Sequence, residues 1–143
     1  MKGQTIPPDL YPQMLPPEQA ARILEEAAVP LREALLGHVA GLEAAGNNPA
    51  QISAWAHEIK GFADTAGLPA AARIAEGLCR YLEESEIAGL APDADVLALH
   101  VSAIGRAARD TGLNARMGEM VVSELAALAA HKLAAARNTA PNR

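Results

Sequence analysis

Between Leu68 and Leu82 the chain places Leu68, Ala71, Ala75, Leu78 and Leu82 at alternating three- and four-residue steps. That spacing lines up one face of an α-helix, and it cannot serve a strand, whose faces alternate every second residue. The same period recurs along the chain and is broken by glycine and proline at intervals. A first helical pattern covers about Pro17 to Ala28, and Pro30 either kinks it or opens a second helix carrying Leu31, Leu35, Val39 and Leu42. Gly46-Asn47-Asn48 ends that segment, and Pro49 suits the first turn of the next helix. Gly67, following Ala66, suits a left-handed C-terminal cap. After the helix of Leu68 to Leu82 comes a loop at Gly89 to Pro92. Asp93 and Asp95 then fall in a first turn, where negative charge is favoured. The next helix carries Val96, Leu99, Ala103, Ile104 and Ala107 and stops at Thr111-Gly112. The last runs from about Asn114 to Arg137. No strand-like alternation competes with these patterns. The expected fold is all-α: an antiparallel four-helix bundle core with additional N- and C-terminal helical segments.

A chain of 143 residues, half of them hydrophobic, suits one domain. Residues 1–16 carry Pro7, Pro8, Pro12 and Pro16 and read as an extended arm. Residues 17–137 form the helical region, and 138–143 a polar tail. The net charge of −5 argues against nucleic acid, which is bound by clustered Lys and Arg, and gives no basic patch for an anionic membrane. Cys79 is the single cysteine, so no intrachain disulfide and no cysteine-rich zinc site can form. The start lacks a basic-then-apolar signal segment, and no apolar run has membrane-spanning length. The expectation is a soluble cytoplasmic protein, monomeric rather than dimeric.

His57 stands out once helical angles are assigned. Measured from His57, the residues Ile52, Trp55, Ile59, Ala63 and Ala66 fall roughly between 140° and 240°. They define the face turned to the core, and His57 lies at the opposite pole. Lys60, Gly61 and Asp64 fall within about 60° of it. The angles establish exposure; a solvated histidine without a role is compatible with them.

The neighbours carry the chemical argument. An imidazole that accepts a phosphoryl group needs an accessible neutral nitrogen, and histidine as a side-chain type keeps that form abundant near neutrality. The phosphoryl charge needs a nearby cation, and Lys60, one turn along, can supply it. A glycine inside a helix costs up to about 1 kcal/mol relative to Ala, so Gly61 asks for a reason. On the face turned from the core, the reason is the close approach of another protein to the ring.

The stretch Ala56-His57-Glu58-Ile59-Lys60-Gly61-Phe62-Ala63, followed by Gly67, resembles the histidine-containing phosphotransfer (HPt) domain. That family's pattern reads Ala-His-x-Leu-Lys-Gly, then a small residue, then Gly; here Ile59 replaces Leu. Gly77-Leu78-Cys79-Arg80-Tyr81-Leu82-Glu83 is similar to the family's next helix. The matching part spans about Ser53 to Glu84, and the flanking helices are consistent with it but unspecific. The resemblance implies a four-helix bundle core, phosphorylation of His57 on a ring nitrogen, and response-regulator receiver domains as partners. A hybrid histidine kinase is a further possible source of the phosphoryl group. No cofactor is implied for this chain, since the divalent metal ion belongs to the receiver. Some members place a Gln or Arg on the following helix to assist the phosphoryl group; here the choice lies among Arg73, Glu76 and Arg80.

The string His57-Glu58-Ile59-Lys60 also resembles the phosphoaccepting box of sensor histidine kinases. That box continues with a polar residue and then Pro, whereas this chain has Gly61-Phe62. No Gly-rich nucleotide loop is found either, so the expectation is a phosphoryl carrier without ATP-dependent kinase activity. The last helix is either a bundle member or a dimer surface.

Other features read as structural. His38, His100 and His131 lie on separate helices without ligand-spaced partners, which disfavours a metal site. Cys79 reads as a small buried residue, Glu83, Glu84 and Glu86 as a solvated helix end, and Met14, Met117 and Met120 as gap-fillers. Two functions stand: a phosphorelay intermediate working through His57, and a non-catalytic helical adaptor in which His57 is incidental.

Overall fold

The computed structural model describes residues 16–139. Within them the chain forms five helices: α1 (Pro17–Ala44), α2 (Pro49–Ala63), α3 (Pro69–Ala88), α4 (Ala94–Arg109) and α5 (Ala115–Thr139). No strand occurs among the described residues. The expected arm lies outside them except for Pro16, as do residues 140–143 of the expected tail. Asn138 and Thr139, read as tail, continue α5.

The boundaries follow from local chemistry. Asn48 caps α2 by accepting a hydrogen bond from the Gln51 N–H at 3.1 Å, with Pro49 in the first turn. Asp93 caps α4 through the N–H groups of Asp95 and Val96, at 2.9 and 3.1 Å. Asn114 does the same for α5 through Met117 N–H, at 2.9 Å. Past the end of α2, Gly67 takes a left-handed φ of 79°, and the Leu68 N–H donates to the Ala63 carbonyl at 2.9 Å. The turn between α2 and α3 is thereby closed without leaving the last carbonyls unpaired.

Pro30 starts no second helix; it sits inside one continuous helix, α1. It marks instead where α1 meets the core. Before it, Ile23, Leu24 and Val29 are 45, 70 and 43 % exposed, whereas Leu35, Val39 and Leu42 beyond it are fully buried.

Each neighbouring pair α1–α2, α2–α3, α3–α4 and α4–α1 packs together, and α5 lies against α3 and α4. The core joins Leu35 and Leu42, Ile52 and Ile59, Leu68, Ile74 and Leu78, Leu97 and Ile104. Much of the rest is alanine, which lets helix axes come close. Glycine serves the closest contacts. A Cβ on Gly118 of α5 would lie 2.7 Å from the Ala70 Cα, and one on Gly41 would meet the Trp55 ring at 2.5 Å.

Two sequence readings need correction. Leu99, assigned to the inward stripe of α4, is 46 % exposed, and Leu97 and His100 take the buried positions instead. Met117 and Met120 fill no gap: they are 45 and 58 % exposed on α5. Met14 lies outside the described residues.

Candidate functional site on helix α2

Helix α2 is held from two sides, by α1 and by α3. Ile52, Ala56, Ile59 and Ala63 are fully buried along it, and Trp55 and Phe62 are partly buried against the core. Those two rings meet His38 of α1 at centroid distances of 5.8 and 5.4 Å. With five or more inward side chains gripped, the opposite face of α2 is fixed in orientation. That face is the one bearing His57, Lys60, Gly61 and Asp64, all of them exposed.

The His57 imidazole makes no hydrogen bond or ion pair among the described residues, so neither ring nitrogen is committed to the fold. Lys60 has no carboxylate partner there either. Across the α2–α3 interface, Cys79 of α3, 4 % exposed, has its thiol pKa pushed up by burial and drawn back by the Lys60 charge. Lys60 itself is exposed. It also occupies the last turn of α2, where a cation complements the helix dipole. That structural benefit exists whatever else Lys60 does.

Gly61 has no internal justification. A Cβ added there would meet nothing within 4 Å. Gly118, Gly41, Gly77 and Gly105 differ, because each is closely covered by a neighbouring element or side chain. Gly37 on α1 shares the emptiness of Gly61, so emptiness alone does not mark a site. What sets Gly61 apart is its place one turn from an uncommitted imidazole and beside an unpaired ammonium.

The candidates on α3 divide. Arg73 reaches the Asp64 carboxylate at 3.4 Å and Glu119 of α5 at 3.8 Å, tying the end of α2 to α5. Arg80 pairs with Glu76 at 3.5 Å. Both cations are thus engaged with carboxylates. The proximity of Lys60 to Cys79 and the Asp64–Arg73 pair escaped the sequence reading, since both depend on how α2 and α3 are juxtaposed.

Among the described residues, no three His, Cys, Asp or Glu side chains converge as a metal group. No helix among them is long and apolar enough to cross a membrane. No family model, curated protein or solved structure matches the chain.

Chemically, the exposed face of α2 offers a nucleophilic ring on a rigid support, a positive charge one turn away, and open space above Gly61. Asp64 on the same face is engaged by Arg73 at 3.4 Å.

Proposed function

We propose that this chain is a phosphorelay intermediate of the histidine-containing phosphotransfer type, accepting and donating a phosphoryl group on His57. The observation that carries the reading is the combination at Gly61. A glycine sits inside a helix, one turn from an exposed and uncommitted histidine, where a Cβ would touch nothing in the protein. The fold has no need of it, while an incoming surface does.

In the proposed reaction an unprotonated ring nitrogen of His57 attacks the phosphorus of an aspartyl phosphate in line with the acyl oxygen. The N–P bond forms as the O–P bond breaks, and the receiver's aspartate leaves as a free carboxylate. The metal ion needed for this step belongs to the receiver. Lys60 contributes charge to the phosphoryl oxygens, and the rigid α2 contributes position. Transfer to a second receiver is the reverse reaction.

The cyclic packing α1–α2–α3–α4–α1 supports reading these four as the bundle core, with α5 as an added outer helix. A cytoplasmic carrier that exchanges phosphoryl groups with receiver domains needs no ATP site of its own.

The adaptor reading keeps one observation in its favour. Ile23, Leu24 and Val29 expose apolar surface on the first half of α1, which suits a partner helix. One experiment separates the two. The protein is incubated with a receiver domain carrying labelled aspartyl phosphate. The carrier reading predicts loss of label from the receiver and gain of an acid-labile, base-stable label on this chain. Stable binding with all label retained by the receiver would support the adaptor instead.

A further inference from the structure

A second site lies away from His57. A cavity of about 290 Å³ opens between α3, α4, α5 and the loop joining α3 to α4. Its α5 wall includes Ala126, Ala129, Ala130 and Leu133, small enough to leave the space open, while Arg80, Glu84, Asp93 and Lys132 add charged groups to the lining. His100 and Tyr81 line the slot opposite, their rings stacked 5.8 Å apart and within 9° of parallel.

His100 is 97 % removed from solvent, at 3 % exposure. Its Nδ1 lies 2.8 Å from the Val96 carbonyl. A carbonyl can only accept, so Nδ1 carries the proton and Nε2 is left with a bare lone pair. Nε2 has no partner among the described residues. Ser85, 8 % exposed, lines the same cavity, and its hydroxyl also lacks a protein partner among them. Tyr81, by contrast, is held: its hydroxyl accepts the Asp93 N–H at 2.7 Å. Among the described residues the buried side-chain polar atom left without a partner is His38 Nδ1; His100 Nε2 opens instead onto the cavity, where an entering donor can pair with its lone pair.

We propose that this cavity binds a small planar aromatic molecule carrying an N–H or O–H donor, which donates to His100 Nε2. The ring lies against the alanines of α5, and the donor reaches His100 Nε2. The volume suits a one- or two-ring molecule, at the lower end of ordinary small-molecule sites. The site is independent of the proposed role of His57.

Indole and benzofuran serve as probes, since they share size and shape and differ in whether the five-membered ring holds N–H or oxygen. Each is titrated into the full chain while the His100 imidazole nitrogens and the Gly77 and Leu133 amides are followed by NMR. Indole is expected to shift the His100 Nε2 resonance and to bind at least about fivefold more tightly than benzofuran, as one added buried hydrogen bond implies. His100→Phe, which preserves the ring against Tyr81, is expected to abolish that preference. Ala130→Phe, entering from an exposed position on α5, is expected to fill the slot and lose binding of both probes. Equal affinity for the two probes, shifts confined to other regions, or no shift at millimolar indole would each overturn the proposal.

Discussion

Lys60 on α2 lies close enough to Cys79 on α3 for its charge to oppose the burial that raises the thiol's pKa. The relationship makes Cys79 a reporter on Lys60. Lys60→Ala is expected to slow phosphoryl transfer while the fold is unchanged, because the side chain is exposed and without an ion-pair partner among the described residues. The same substitution should raise the Cys79 thiol pKa further, measured by the pH dependence of its alkylation. Unchanged transfer with an altered thiol would place Lys60 correctly and deny it the chemical role.

Gly61 and Gly118 make a matched pair of opposite sign. Gly61→Ala adds a methyl into open space and removes a helix-weakening residue, so it should stabilise the fold by up to about 1 kcal/mol. Gly118→Ala drives a Cβ into the Ala70 backbone and should destabilise by about 1–3 kcal/mol. Urea denaturation of both variants checks the pair. Gly61→Trp should then leave stability near wild type and block transfer from a receiver; undiminished transfer would remove the close-approach argument.

His100 gives the fold a pH signature. Burial lowers its pKa from the ordinary 6.5, against the smaller opposing effect of its bond to the Val96 carbonyl. The unfolded chain therefore takes up a proton at higher pH than the folded one. This contribution to stability is complete above about pH 6.5 and declines as the pH falls toward the folded-state value. His100→Gln should flatten the stability profile below pH 6.5 relative to wild type, measured by thermal unfolding across that range. Parallel profiles for the two proteins would mean that His100 does not titrate with unfolding.

How much of this was legible in the residues depends on range. Caps and turns were readable because they are local: Asn48-Pro49, Asp93 and Gly67 each act on backbone within a few residues. The exposure of His57 was readable for the same reason, since one helix's apolar stripe defines its opposite face. Pro30 was not resolved, because whether a proline ends a helix depends on what the flanking turns pack against. Leu99 was placed in the periodic pattern of α4 and is exposed, while the burial of His100 was not foreseen, because a leucine usually outranks a histidine for burial. Here the bond to the Val96 carbonyl and the stack on Tyr81 let the imidazole go inside. The cavity on α5 was invisible to periodicity, since its wall consists of alanines that read equally well as close packing.

Label transfer tests the proposed phosphoryl-accepting role of His57 most directly. Wild type and His57→Gln are each incubated with a receiver domain bearing labelled aspartyl phosphate, then separated and treated with acid or base. The account predicts acid-labile, base-stable label on the wild-type chain and none on His57→Gln, with both proteins equally folded. Equal labelling of the two would contradict it.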